Sequence, residues 1–231
     1  MINPDFMLLI IVGVVGMVVQ WKLQSVFAKY SKVRFAGGMT GRDVAEKMLR
    51  DNGIYDVKVT HVRGKLTDHY NPRTKTVNLS DSVYNSNSVA AAAVAAHECG
   101  HALQHAVGYA PLKMRSALVP VTQFSSQFSM IFLIGGIALM YWANMPHLAW
   151  VFWVGIGMLC VAALFSIVTL PVEYNASNRA MAWLNDQHLL SREEQSQAKE
   201  ALSWAARTYL VAAIASVATI VYYLGFARGN D

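Results

Sequence analysis

Two histidines and a glutamate lie within five consecutive residues of this sequence. His97, Glu98 and His101 form the pattern His-Glu-x-x-His. Residues four positions apart lie on one face of an α-helix, so both imidazoles can reach the same ion. Glu98 lies about 100° around the helix from His97 and can reach a water on the open side of that ion. The spacing predicts a hydrolytic zinc site with His97 and His101 as ligands and Glu98 as the general base.

The motif requires a helix, and the residues around it predict one. Ser88 can cap an alanine-rich helix that runs from Val89 through Ala106. Alanine has the highest helix propensity, and serine is a favoured N-cap residue. Because small side chains surround the motif on several sides, a second helix can approach it closely. We therefore expect a tightly packed partner helix beside the motif.

A catalytic zinc site needs a third protein ligand, and the sequence offers several candidates. His105 cannot share one ion with both motif histidines, because eight helical residues separate it from His97 by about 12 Å. It remains a candidate for supporting a ligand, contacting substrate or lying at an interface. Isolated histidines with no surrounding pattern stay open as further sources, namely His61, His69 and His188.

Glu173 is the better candidate for the third ligand. It lies in Leu-Pro-Val-Glu-Tyr-Asn-Ala-Ser-Asn-Arg-Ala, which covers residues 170–180. A helix bent near Pro171 would place Glu173, Ala176 and Ser177 on one face, where small residues let it dock against the motif helix. The alternative is that Glu173 is an ordinary interfacial charge. With Glu173 as ligand, the sequence predicts one Zn²⁺ per chain.

The composition indicates a membrane protein. Of 231 residues, 55% are hydrophobic and only 14% are charged, against about 25% charged in soluble domains. The formal net charge is +5, but the basic residues form no soluble patch, so no nucleic-acid partner is predicted. Cys99 and Cys160 are far apart in sequence, which indicates neither a disulfide framework nor a cysteine-rich zinc module.

Four stretches without Asp, Glu, Lys or Arg are about long enough to cross a bilayer. They are Phe6–Trp21, Leu118–Ala143, Leu148–Leu170 and Tyr209–Ala227. The first could be a cleaved signal peptide, but Asp5 stands where a basic residue is expected, so an anchor is favoured. The short link at residues 144–147 predicts that the second and third helices form an antiparallel hairpin.

Basic residues predict the orientation in the membrane. They flank the long connection between the first two stretches at Lys22, Lys29, Lys32, Arg34, Lys113 and Arg115, whereas residues 144–149 carry none. The long connection is therefore expected to be cytoplasmic, with both termini outside. The predicted segments are a first transmembrane helix (1–28), a cytoplasmic protease part (29–117), a transmembrane hairpin (118–170), a second cytoplasmic part with the third ligand (171–208), and a fourth transmembrane helix with a tail (209–231).

A small sheet is predicted within the first cytoplasmic part. Val57–Val62, residues 65–70 and Thr74–Leu79 read as short strands separated by turn residues. Thr74–Leu79 precedes the motif helix by about ten residues and could be an edge to which an extended substrate adds its main chain. The alternative is an ordinary strand within the sheet.

These motifs together resemble those of a known family. Glu-Tyr-Asn-Ala-Ser-Asn-Arg-Ala (173–180), Leu-Thr-Asp-His-Tyr (66–70) and Asn-Leu-Ser (78–80) accompany His-Glu-x-x-His. The combination resembles the bacterial membrane neutral zinc metallopeptidases, the YugP-like family, relatives of the gluzincin-type heat-shock membrane proteases. The resemblance covers Gly41–Tyr209.

The resemblance implies a mainly α membrane protein with four transmembrane helices and a cytoplasmic, gluzincin-like α+β zinc protease domain. It implies His97, His101 and Glu173 as ligands and Glu98 as the base. The chain departs from the related heat-shock proteases at Ser177, where they have an Asp expected to orient a ligand imidazole, and Asn175 replaces a more usual acid. The orienting residue is left open between Ser177 and another, such as Asp68.

The expected function is a zinc endopeptidase of the cytoplasmic membrane that cleaves membrane proteins or membrane-presented peptides at the cytoplasmic face. The group that stabilises the oxyanion is left open among His69, Tyr70, His105 and Arg179. The alternative is a non-catalytic, zinc-stabilised membrane scaffold or regulator, and a transporter is disfavoured because the apolar stretches contain no ionisable path. Besides substrate and lipid bilayer, a homo-oligomer or a regulatory membrane partner is left open.

Overall fold

The computed structural model describes residues 4–228. Residues 1–3 and 229–231, which the sequence assigns to the first and last predicted segments, lie outside the described residues. The described helices are α1 (Pro4–Tyr30), α2 (Gly41–Asp51), α3 (Asp81–Tyr84), α4 (Val89–Ala106), α5 (Ala110–Tyr141), α6 (Trp150–Asp186) and α7 (Arg192–Arg228). The strands are β1 (Lys58–Val62), β2 (His69–Asn71) and β3 (Thr76–Ser80).

Four of the helices found between residues 4 and 228 are long and apolar enough to cross a membrane, namely α1, α5, α6 and α7. The protein is mainly helical with a small three-stranded sheet, as predicted. These helices extend beyond the apolar stretches that predict them, since charged residues end a hydrophobic run without ending a helix. α6, for example, continues through Pro171 as far as Asp186.

The chain divides into two compact units. The first, here called the apolar unit, contains Met114–Leu170 and the described parts of Met1–Val18 and Thr208–Asp231. The second, here called the site unit, contains Val19–Lys113 and Pro171–Arg207.

Within the apolar unit, α5 and α6 approach each other at glycines. A Cβ on Gly136 would lie 2.5 Å from the backbone nitrogen of Phe152, and one on Gly155 would lie 2.9 Å from that of Leu133. The connection between the two helices is short and contains a 3-10 turn at Pro146–Leu148. This close approach agrees with the predicted hairpin.

Within the site unit, the strands form a sheet of order β1-β3-β2. β1 pairs with β3 in parallel, and β2 pairs with β3 antiparallel. The interpretation of Thr74–Leu79 as a free edge for substrate is therefore wrong, because β3 has a neighbour on both sides. β3, the last of the three strands in sequence, is the central strand, and β1 and β2 are the edge strands.

The helices α2 and α4 of the site unit each begin at a residue whose side chain caps the helix. The Thr40 hydroxyl accepts a hydrogen bond from the Asp43 backbone N–H, and the Asp43 carboxylate accepts one from the Thr40 backbone N–H. The two bonds form a capping box at the start of α2. Ser88 caps α4 by accepting from the backbone N–H of Ala91. The buried face of α2 packs against the alanine-rich part of α4, which places the motif helix in the core of the unit.

Candidate metal centre

The site-unit part of α6 packs against the motif on the side of α4 that carries Gly100. A Cβ on Gly100 of α4 would lie 2.5 Å from the carbonyl oxygen of Ala176 on α6. Ala176 and Ala180 are fully buried, so both helices present small surfaces to each other. This contact brings Glu173 on α6 to the level of His97 and His101 on α4.

The three predicted ligands lie together. Glu173 Oε2 is 3.2 Å from His97 Nε2 and 3.6 Å from His101 Nε2. The two imidazole rings stand at 84° to each other with their centroids 4.8 Å apart. One donor atom from each of the three residues lies within 4.8 Å of the other two. Glu173 is 2% exposed and His101 6% exposed, so the cluster is largely closed to solvent.

This donor set fits a catalytic zinc ion. Two ligand atoms bound tetrahedrally at about 2.0–2.1 Å from zinc are about 3.3 Å apart. The distances from Glu173 Oε2 to His97 Nε2 and His101 Nε2, 3.2 Å and 3.6 Å, are close to this value. Two imidazoles and one carboxylate are a known ligand set of catalytic zinc, and three protein ligands leave a fourth position open. His97, His101 and Glu173 would therefore hold the metal that the sequence predicts.

Glu98 lies beside this cluster and is 8% exposed. Burial raises the pKa of its carboxyl to about 7, and the charges of Glu173 and Asp68 act in the same direction. The charge of His97 and a hydrogen bond from the Tyr70 backbone N–H lower the pKa but do not offset burial. A carboxyl group with this pKa can take up and release a proton near neutrality, as a general base and acid requires.

Ser177 lies where a residue that orients His97 is needed. Its Oγ is 3.1 Å from His97 Nδ1, on the side of the ring away from Glu173. Asp68, the other residue considered for this role, instead accepts hydrogen bonds from the Ser80 backbone N–H at 2.7 Å and the Ser80 hydroxyl at 2.9 Å. Asp68 thus supports the start of α3 and acts on Glu98 only through its charge.

The partner of His101 was missed by sequence reasoning. Gln104 is fully buried, and its Oε1 lies 3.0 Å from His101 Nδ1. The signal in the sequence is a glutamine three positions after a ligand, on the helix face that also carries His97 and His101. An amide is not a usual zinc ligand, so residue type alone does not mark Gln104 as part of a metal site.

The other residues that the sequence offers as metal ligands or as oxyanion-stabilising groups make different contacts. The Tyr70 hydroxyl is 2.7 Å from His105 Nδ1, and both residues line a cavity of about 360 Å³ beside α4. His69 Nδ1 is hydrogen-bonded to the carbonyl oxygen of Thr67. Arg179 donates to the Asn175 side chain, and His61 contacts the Asp81 carboxylate. His188 lies after the end of α6 with a positive φ of 51°.

Comparisons with known proteins agree on one family. The profile of a family described as "Putative neutral zinc metallopeptidase" matches residues 5–228. The chain is 40% identical over 213 residues to the "Putative membrane protease YugP" of Bacillus subtilis (strain 168). The aligned region covers 92% of each of the two chains. No solved structure matches the chain. The chain belongs to the neutral zinc metallopeptidase family that includes the YugP-like membrane proteases.

Proposed function

We propose that this protein is a membrane-anchored zinc endopeptidase that binds one zinc ion per chain. The observation that carries the proposal is the convergence of His97, His101 and Glu173 donor atoms with the buried Glu98 carboxylate beside them. Membership of a metallopeptidase family supports the same reaction class.

The residues suit hydrolysis of a peptide bond. Zinc bound by this ligand set acts as a Lewis acid that lowers the pKa of water from ~15.7 to about 7. Glu98 accepts the proton of the attacking water on a carboxylate oxygen and then donates it to the departing amine nitrogen. The raised pKa of Glu98 supports both steps, since the same group must hold the proton between them.

Strand β2 is the place where substrate would bind. One side of β2 pairs with β3, and the backbone of Tyr70 on this strand is close enough to Glu98 to help lower the pKa of its carboxyl. An extended peptide that adds to the outer edge of β2 would place a scissile bond beside the base. This edge replaces Thr74–Leu79 as the proposed main-chain contact.

We place the active site on the cytoplasmic side of the cell membrane, with both termini outside. The basic residues at the ends of the long connection between α1 and α5 support this orientation, as does the lack of basic residues at positions 144–149. The proposed substrates are membrane proteins, or peptides presented at the cytoplasmic face. The four candidate membrane helices support substrates of this class.

The test separates metal binding from catalysis in purified, detergent-solubilised protein. We expect Glu98→Gln to retain one zinc per chain, measured by elemental analysis, and to lower the rate of peptide cleavage by about 100- to 10,000-fold. His97→Ala, His101→Ala and Glu173→Ala should each lose both zinc and cleavage. Undiminished cleavage by the Glu98→Gln variant would reject Glu98 as the base. A wild-type protein that holds zinc tightly and cleaves nothing would favour the scaffold function.

A further inference from the structure

A buried amide network lies directly behind His101. Gln104 Oε1 is 3.0 Å from His101 Nδ1. Gln104 Nε2 donates to the carbonyl oxygen of Val172 at 2.8 Å and to Asn175 Oδ1 at 3.0 Å. Arg179 Nε also donates to Asn175 Oδ1, at 2.8 Å. The network therefore joins α4 to α6 at Val172 and Asn175, which lie on either side of Glu173 in the sequence.

The direction of each hydrogen bond in this network is fixed by its chemistry. A guanidinium can only donate, so the Asn175 side chain must present its oxygen to Arg179 and, with it, to Gln104. The Val172 carbonyl can only accept, so Gln104 must present its NH₂ group to Val172 and Asn175. The Gln104 oxygen is then turned towards His101. An amide oxygen can only accept, which requires a proton on His101 Nδ1.

A neutral imidazole carries one proton. With that proton on Nδ1, the lone pair of His101 lies on Nε2, the atom that is 3.6 Å from Glu173 Oε2. The same lone pair is the one that a metal ion at this cluster must use.

We propose that Gln104, held by Asn175 and Arg179, is the positioning residue that fixes His101 in the tautomer needed to bind the metal. The proposal rests on the metal site proposed above. The other ligand differs, because the Ser177 hydroxyl beside His97 Nδ1 can donate as well as accept. The serine orients the His97 ring but does not determine which nitrogen of that ring carries the proton.

Two substitutions of Gln104 separate positioning from a merely structural role. Gln104→Leu and Gln104→Glu both remove the NH₂ group that bonds to Val172 and Asn175. Only Gln104→Glu keeps an oxygen that can accept from His101. If Gln104 acts through His101, the leucine variant should bind zinc about 10- to 100-fold more weakly, while the glutamate variant stays within about threefold of wild type. Equal losses in both variants would overturn the proposal.

Zinc affinity is measured on the full-length protein in detergent, by competition with a chromophoric chelator, and needs no activity. Ser177→Ala is the matched control on the other ligand, and its affinity should fall less than that of Gln104→Leu. Asn175→Leu and Asn175→Asp test the next link, because only aspartate keeps an acceptor for Gln104 and Arg179. Should Gln104→Leu fail to fold, this second pair decides, and equal zinc affinities in the two Asn175 variants would then overturn the proposal.

The experiment also keeps the two proposals apart. Wild-type protein without measurable zinc affinity would reject the metal site itself. Wild-type protein that binds zinc, with a folded Gln104→Leu variant of unchanged affinity, would reject only the role of Gln104. A ¹⁵N spectrum of labelled histidine in the zinc-loaded protein adds a direct readout, since the His101 Nδ1 proton should be present in wild type.

Discussion

The backbone of Gly100 packs directly against the backbone of Ala176. A Cβ added to Gly100 would lie only 2.5 Å from the Ala176 carbonyl oxygen. The contact lies one helical turn from Glu173 on α6 and one residue from His101 on α4. The separation of the two helices at this point therefore sets how close the carboxylate comes to the imidazoles.

Substitution of Gly100 by alanine should force α4 and α6 apart. We expect a loss of about 1–3 kcal/mol in the free energy of unfolding and weaker zinc binding, since backbone atoms of Ala176 cannot rotate out of the way. Thermal unfolding in detergent and a zinc titration measure the two effects. Gly157→Ala is the control, because a Cβ there meets nothing within 4 Å. Similar behaviour of the two variants would contradict the proposed role of this contact.

Cleavage should fall as the pH decreases through the pKa of Glu98. Burial raises this pKa to about 7, and the group must be ionised to accept a proton, so activity is lost on the acid side. A bound zinc ion lowers the pKa, so the midpoint of the acid limb of kcat/KM should lie at or below about 7. Asp68→Asn removes a charge that raises the pKa and should move this limb to lower pH. An unmoved limb in that variant would show that another group controls it.

Removal of zinc should destabilise the site unit. The metal would bind residues of α4 and α6 in the folded state only. Free zinc at 1,000 times its Kd would therefore add about 4 kcal/mol to the free energy of unfolding. A chelator should accordingly lower the midpoint of thermal unfolding of the wild-type protein. The Glu173→Ala variant should show a low midpoint that the chelator does not change. A chelator effect of equal size in both proteins would indicate that the metal binds elsewhere.

Tyr70→Phe tests whether the contact with His105 is structural. The substitution removes the 2.7 Å hydrogen bond between the Tyr70 hydroxyl and His105 Nδ1. Burial raises the pKa of Tyr70 to about 12, so the hydroxyl keeps its proton throughout the working range. We expect a loss of about 1 kcal/mol in stability with zinc content unchanged, checked by denaturant unfolding and elemental analysis. A loss of zinc would instead link this pair to the metal centre.

Local signals in the sequence are sufficient to locate the starts of α2 and α4. Thr40 with Asp43 and Ser88 before the alanines mark the starts of α2 and α4, because capping depends on residues within one turn. The spacing of His97 and His101 likewise needs only the geometry of a single helix. Glu173, the predicted third ligand, lies beside them in the structure, since small residues around it and around the motif let two helices meet.

Features that depend on distant pairing were not predictable in the same way. The central position of β3 follows from its parallel pairing with β1 and antiparallel pairing with β2, and the order of strands along the chain does not reveal it. Gln104 acquires its function from Asn175 and Arg179, more than 70 positions away in sequence. Its place three residues after His101 is visible in the sequence, whereas its hydrogen bond to Asn175 on another helix is not.

The alanines of α4 restrict how this protein can diversify. The positions from Ala90 to Ala93, with Ala95 and Ala96, are at most 1% exposed and leave no volume for a longer side chain. The stretch from Gly64 to Thr67, which leads into β2, is exposed and lies outside regular structure. Substitutions that enlarge a side chain are therefore expected to be tolerated in this exposed stretch and to disrupt packing in the motif helix.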